Sequence, residues 1–144
     1  MSAERKVDIF AGLILVVSLV GIILLAFLPF AGFYLPSYGN RYSCFDCEYS
    51  GPLDLTAQIF ILILLIVQIV IALNDLLPKR FISQDLSKIG MILAALTFIW
   101  VLIGLAGFGA TYAEYDWWLE TGFYATLIAG LLNTVLFFLK YKNK

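Results

Sequence analysis

Residues 55–74 read LTAQIFILILLIVQIVIALN, and no charged side chain interrupts them between Asp54 and Asp75. An α-helix needs about 20 mostly apolar residues to cross the ~30 Å hydrocarbon core of a bilayer. A membrane strand alternates apolar and polar residues, whereas residues 59–66 are all apolar. The stretch therefore predicts a membrane-spanning helix.

Three further stretches of the chain also lack charge, and together the four predict an all-α integral membrane four-helix bundle. We expect a single four-helix transmembrane domain over residues 1–144. The expected helices are about 9–30, 55–74, 89–110 and 121–139, joined by outer loops at 31–54 and 111–120 and an inner loop at 75–88.

The composition supports the same class. Apolar residues make up 62% of the chain and charged residues 13%, and the mean hydropathy is +0.97. A soluble domain carries roughly 25% charged residues. The apolar excess therefore requires lipid as solvent, and membrane lipid is the first expected partner.

The basic residues predict the orientation, because Lys and Arg in short loops stay on the cytoplasmic side. Arg41 is the only basic residue expected on the outer side. We therefore expect a multi-pass protein of the cell membrane with both termini cytoplasmic. The basic residues on the inner side are Arg5, Lys6, Lys79, Arg80, Lys88, Lys140, Lys142 and Lys144.

The outer side is acidic, with a formal charge of −5 once Asp54 and Arg41 are included. This charge excludes nucleic acid as a partner. The simpler interpretation is that the carboxylates keep the outer loops hydrated, and cation binding is the alternative. The outer acidic cap comprises Asp46, Glu48, Glu114, Asp116 and Glu120.

The first outer loop carries turn signals at Pro36, Gly39-Asn40 and Gly51-Pro52. Flanks at 34–38 and 41–49 predict a small β-hairpin over the bundle, with Gly39-Asn40 as its turn. Aromatic residues cluster at this boundary, where they are typical of a headgroup-level belt; a ligand-stacking platform is the alternative interpretation. They are Tyr34, Tyr38, Tyr42, Tyr49, Tyr112, Tyr115, Tyr124, Trp117 and Trp118.

Candidate chemistry is limited, since the chain has no histidine and so lacks the usual general base and imidazole ligand. We predict no catalytic residue, no metal and no cofactor. The one recognisable motif is Cys44-Phe45-Asp46-Cys47 in the first outer loop. It is interpreted first as a structural disulfide, with a redox-active pair and a zinc site shared between two chains as alternatives.

Uncharged polar residues within the predicted helices are expected to bond neighbouring helices. The residues predicted to have this role are Gln58, Gln68 and Asn133; a substrate pocket near Gln68 and Asn133 is the alternative. The apolar windows hold no charge, so we expect no ion pathway. Asp75 precedes Lys79 and Arg80, and it is expected to form a salt bridge or to contact lipid headgroups.

In topology the chain resembles claudin and PMP22-like four-helix tetraspan proteins, which have cytoplasmic ends and a longer first outer loop. The resemblance implies a small extracellular β-sheet near Cys44 and Cys47. The chain departs from claudins in lacking a Trp-Gly-Leu-Trp segment before Cys44. The motif is also similar to that of DsbB-type thiol oxidases, but their second cysteine pair is absent from residues 111–120.

Three functional hypotheses follow. The first is a non-enzymatic tetraspan with a structural, assembly or accessory-subunit role, whose outer loops contact a membrane protein partner or other copies in a homo-oligomer. The second is a membrane thiol–disulfide oxidoreductase that uses Cys44 and Cys47. The third is a small-molecule or lipid carrier.

Overall fold

A computed structural model describes residues 8–44 and 52–142. It contains four helices, each long and apolar enough to cross a membrane, which confirms the prediction of four such helices. It also contains three short strands. The helices are α1 Ile9–Phe27, α2 Pro52–Leu76, α3 Ser87–Thr111 and α4 Thr121–Lys142, and the strands are β1 Ala31–Leu35, β2 Gly39–Ser43 and β3 Trp117–Leu119.

Local chemistry explains where the helices begin and end. The carboxylate of Asp8 caps α1 by accepting a hydrogen bond from the Ala11 amide at 3.0 Å. α1 stops at Phe27 because Leu28, which precedes Pro29, is extended with φ −120° and ψ 154°. α2 begins at Pro52, where a missing N–H costs nothing. α1 is therefore shorter than the predicted 9–30.

The buried residues of α1, α2 and α3 include a seam with alternating steps of three and four positions. This 3.5-residue repeat is typical of left-handed coiled-coil packing. α1 and α3 each pack against both α2 and α4, and the buried apolar side chains form two clusters inside the bundle. The seams are Ala11, Ile14, Ser18, Gly21 and Leu25 on α1; Asp54, Gln58, Ile61, Leu65, Gln68, Ala72 and Asp75 on α2; and Ser87, Gly90, Ala94, Thr97, Val101, Gly104 and Phe108 on α3.

The outward faces of the helices are apolar. Val16 on α1, Ile63 on α2 and Ile128 on α4 are 57%, 49% and 54% exposed, respectively. Soluble monomers rarely expose continuous apolar surface of this kind. These exposed apolar faces are of the kind that contact with lipid requires.

The strands form one antiparallel sheet in the order β2-β1-β3. The hairpin is confirmed, but the predicted flanks at 34–38 and 41–49 and the Gly39-Asn40 turn are wrong within the described residues. The turn runs from Leu35 to Tyr38, whose amide bonds the Leu35 carbonyl at 3.1 Å. Pro36 takes the second turn position, and Gly39 follows with φ +77°. Residues 45–49 of the second flank lie outside the described residues.

β3 was not expected in the second outer loop. Its residues Trp117–Leu119 pair with Phe33, Gly32 and Ala31 of β1. A three-residue strand has no alternating pattern long enough to detect in the sequence, and it forms here because β1 offers a free edge. The sheet thereby joins the two outer loops at one end of the bundle.

Candidate functional site

A layer of four buried polar side chains crosses the centre of the bundle, one from each helix. The Asn133 amide donates to Ser18 Oγ and to Gln68 Oε1, both at 2.8 Å. The Gln68 amide donates in turn to Thr97 Oγ1 at 2.8 Å. All four residues are fully buried, and each bonds another helix. We call Ser18, Gln68, Thr97 and Asn133 the middle layer.

The sequence predicts Gln58, Gln68 and Asn133 as packing residues. Gln68 and Asn133 lie in this layer, whereas Gln58 bonds Ser43 of β2 and not another helix. Ser18 and Thr97 were missed. Single hydroxyl residues are common in apolar helices, where they bond their own backbone, as Thr97 also does to the Leu93 carbonyl. The signal that marks them is position, since both lie on the three-four seam. One acceptor of the layer, Asn133 Oδ1, has no hydrogen-bond partner within the described residues.

A charged cluster closes the end of the bundle opposite the sheet. Lys140 is only 4% exposed. Its Nζ lies 2.6 Å from Asp8 Oδ2 and 2.7 Å from Asp75 Oδ2. Asp75 also lies 3.5 Å from Arg80 Nε, so the expected salt bridge with Arg80 is present. The cluster ties the start of α1 to the ends of α2 and α4.

Lys140 and Asp75 are therefore buried, although each lies at the edge of a predicted span. Lys140 counts among the basic residues that flank the predicted spans, yet its ammonium group lies inside the bundle. A buried charge is tolerated only when it is paired and hydrogen-bonded. The two carboxylates meet that requirement and let both α2 and α4 extend beyond their uncharged windows.

A third polar cluster lies beneath the sheet. The Ser43 hydroxyl donates to the Asp54 carboxylate and accepts a hydrogen bond from the Gln58 amide at 2.9 Å. Asp54 is fully buried, so it does not keep an outer loop hydrated as predicted for the acidic residues of the outer side. Burial raises the pKa of the nearby Tyr112 phenol above its ordinary value, and the Asp54 carboxylate raises it further. The cluster fastens β2 to α2.

The outer acidic cap is only partly within the described residues. Glu114 and Asp116 are exposed, and Glu120 accepts a hydrogen bond from Trp118 Nε1 at 2.7 Å. Asp46 and Glu48 lie outside the described residues. Over residues 8–44 and 52–142, no group of three or more Cys, Asp or Glu side chains is arranged to hold a metal ion.

The cysteine motif is divided in the same way. Cys44 follows β2 and is half-buried. Cys47 lies outside the described residues. The disulfide, redox and zinc interpretations of the pair therefore stay predictions.

The aromatic residues at the sheet end divide into two sets. Phe33 packs inward, stacked on Tyr112 with ring centroids 3.8 Å apart. Trp118 covers Gly32, where an added Cβ would lie 2.7 Å from the indole. The outward set on the strands and their connecting loops is exposed and comprises Tyr34, Tyr38, Tyr115 and Trp117; Tyr124, in the first turn of α4, is exposed as well. We call this outward set the outer aromatic residues.

Comparisons of the chain with protein-family models, with curated proteins and with solved structures find no match. The claudin-like resemblance therefore rests on architecture alone, namely four candidate membrane helices and a hairpin between α1 and α2.

Proposed function

We propose that this protein is a non-enzymatic four-helix protein of the cell membrane. It serves a structural, assembly or accessory-subunit role and contacts a membrane protein partner, or other copies of itself, through its outer loops. The observation that carries the proposal is the use of the interior polar groups: each member of the middle layer bonds another helix. Such groups hold a bundle together rather than present a reactive site.

The proposed orientation in the membrane is based on the charged residues at the two ends of the bundle. Lys79, Lys88 and Lys142 are exposed at the end of the bundle where α1 begins and α4 ends. Glu114 and Asp116 are exposed at the opposite end, beside the sheet. Basic residues favour the cytoplasmic side, so the sheet faces outward and both termini face inward.

The outer aromatic residues are suited to contact another protein. Tyr38 is 63% exposed and Tyr34 44%, and tyrosine and tryptophan dominate the energetics of interfaces. The sheet that carries them is held by the Phe33 stack and by the Ser43–Asp54 hydrogen bond. A surface fixed before binding loses little conformational entropy when a partner arrives.

The test is crosslinking in native membranes, followed by purification in mild detergent. We expect partner chains or additional copies to be captured with the intact protein. The variant Tyr34→Ser/Tyr38→Ser should lose them several-fold. Tyr141→Ser is the matched control, because Tyr141 is similarly exposed at the opposite end.

Two results contradict the proposal. One is a wild-type protein that is captured only as a monomer with no partner. The other is equal capture by the double variant and the wild type while Tyr141→Ser also has no effect.

A further inference from the structure

Two aromatic rings meet at an angle on the face of the sheet that points away from the bundle. Gly32 of β1 pairs with Tyr42 of β2 on one side and with Trp118 of β3 on the other. Side chains alternate along a strand, and the next residue, Phe33, is buried in the bundle, so this row faces outward.

The two rings form a floor and a wall. An added Cβ on Gly32 would lie 2.7–2.8 Å from three neighbouring atoms of the Trp118 indole, so the indole lies with one face over the glycine. The Tyr42 ring is inclined at 82° to the indole, with ring centroids 6.3 Å apart. Both residues are partly exposed, so a ligand can reach them. We call Tyr42 and Trp118 the ring corner.

The charge beside the ring corner is negative. Glu120 is partly exposed, and its Oε1 accepts a hydrogen bond from Trp118 Nε1 at 2.7 Å. Asp116, two residues before Trp118, is exposed. Arg41 is the one charged residue within β1, β2 and β3, and it pairs with Phe33, which assigns it to the opposite face of the sheet. The outward face therefore combines aromatic rings with carboxylates.

We propose that the ring corner binds a quaternary ammonium group, the trimethylammonium of choline or of a choline-bearing lipid headgroup. The negative face of an aromatic ring attracts a cation, and the indole of tryptophan does so most strongly. The Glu120 carboxylate adds its own charge, and its hydrogen bond polarises the indole. The inference does not depend on the orientation in the membrane or on the partner surface of the proposed function.

The donor and acceptor chemistry of the ring corner selects a methylated cation. A divalent metal ion needs several converging oxygen ligands, and residues 8–44 and 52–142 contain no group of three or more Cys, Asp or Glu side chains so arranged. Lysine and arginine carry three and five N–H donors that require acceptors, whereas Glu120 Oε1 is already bonded to the indole. A quaternary ammonium has no N–H donor, and its methyl groups contact ring faces directly.

The test is fluorine NMR of the full chain, labelled with fluorotryptophan, in maltoside micelles. The chain has three tryptophans, and the Trp118 resonance is assigned by its loss in Trp118→Phe. Choline should shift this resonance saturably, while the resonance of Trp100, which stacks on Phe60 of α2, should not move. Ethanolamine, which lacks the methyl groups, is the matched ligand at equal ionic strength and should bind several-fold more weakly.

Variants separate the two contributions. Glu120→Gln removes the charge but keeps an oxygen that can accept the indole hydrogen bond, and it should weaken choline binding several-fold. Tyr42→Leu removes the wall and should have a similar effect. Glu114→Gln is the matched control, because Glu114 is an exposed carboxylate outside the strands. If Tyr42→Leu unfolds in a detergent melt, Glu120→Gln carries the test.

The source of the ammonium group is distinguished in lipid nanodiscs. A Trp118 shift in phosphatidylcholine discs relative to phosphatidylglycerol discs, with no choline added, assigns the ring corner to a lipid headgroup. A shift that appears only when choline is added assigns it to a soluble ligand. Either result supports the proposal.

Equal binding of choline and ethanolamine overturns the proposal, as does the absence of a Trp118 shift in both micelles and discs. Choline binding that neither Glu120→Gln nor Tyr42→Leu weakens also overturns it. Tighter binding of methylguanidinium than of choline would assign the ring corner to an arginine of a protein partner instead, which is a further contrary result. None of these outcomes involves partner capture, so failure here and failure of the proposed function are distinguishable.

Discussion

Asn133 is the residue on which the middle layer depends. Its amide joins α4 to α1 and to α2 at once, through bonds of 2.8 Å to Ser18 and Gln68. In a lipid solvent the apolar side chains gain little by leaving one surface for another, so packing and interhelical hydrogen bonds carry much of the helix association. A polar residue on a heptad seam also specifies which neighbours align.

Asn133→Leu should destabilise the bundle by about 1–3 kcal/mol, because two interhelical bonds are lost and the Gln68 carbonyl oxygen stays buried. The measurement is unfolding in mixed micelles with increasing dodecyl sulfate. Thr134→Val is the matched control, since the Thr134 hydroxyl bonds the Gly130 carbonyl of its own helix. Equal midpoints for the two variants would show that the middle layer contributes nothing to stability.

Lys140 is the second residue with an outsized role. It balances two carboxylates whose side chains are 0% and 23% exposed, those of Asp75 and Asp8. Removing one partner of a buried pair leaves the other charge without compensation.

Lys140→Met should therefore cost about 3–5 kcal/mol of stability in the same unfolding assay. Lys142→Met, at an exposed position two residues later, should stay within about 0.5 kcal/mol of the wild type. Adding Asp75→Asn to Lys140→Met should recover part of the loss, because the two residues are coupled. Strict additivity of the two changes would contradict the pairing.

On α3, three glycines leave space that large side chains from other parts of the chain fill. Its glycines face large side chains of other elements: Gly104 faces Phe30, Gly90 faces Phe137 and Gly107 faces Leu53. At Gly90 and Gly107 the large side chain belongs to another helix, as in knobs-into-holes packing. At Gly130 on α4 the neighbour is the backbone of α3 itself, since an added Cβ would lie 2.9 Å from the backbone nitrogen of Phe98.

Gly130→Ala should separate α3 from α4 and cost about 1–3 kcal/mol, since a backbone contact cannot relax as a side chain does. Gly12→Ala is the matched control: an added Cβ there meets nothing within 4 Å, and alanine favours helix by up to about 1 kcal/mol. Thermal unfolding in detergent checks both changes. A Gly130→Ala protein as stable as Gly12→Ala would refute the close approach of the two helices.

The helices and the hairpin show which features a local sequence pattern can predict. Uncharged windows located the helices, because the length and apolarity that a span needs are local properties. The helix ends differ from those windows at Pro52, where proline favours a helix start, and at Lys140, where a salt bridge allows the helix to continue. The hairpin was expected, but its register depended on Pro36 and on the positive φ of Gly39 rather than on Gly39-Asn40 as a turn.

At the scale of the whole molecule, the sheet and the charged cluster lie at opposite ends of the bundle. If the protein crosses the membrane as proposed, Ser37 in the hairpin turn faces outward and Ser83 in the inner loop faces the cytoplasm. Both serines are exposed, which makes them suitable reporters.

The orientation is tested in a Cys44→Ser/Cys47→Ser chain that carries either Ser37→Cys or Ser83→Cys. A membrane-impermeant maleimide added to intact cells should label the first, and it should label the second only after lysis. An unfolding midpoint close to that of the parent is the control for each chain. Labelling in the reverse order would invert the proposed orientation.

The sequence by itself determined that four apolar helices form, that a hairpin follows the first and that one end is basic, because each property is carried by residues close together in the chain. Only the tertiary structure decided which polar groups are buried and which partner each one bonds. Asn133 meets Ser18 across 115 positions and Lys140 meets Asp8 across 132, so no local pattern pairs them. Burial, and with it the requirement for a partner, exists only once the helices have packed.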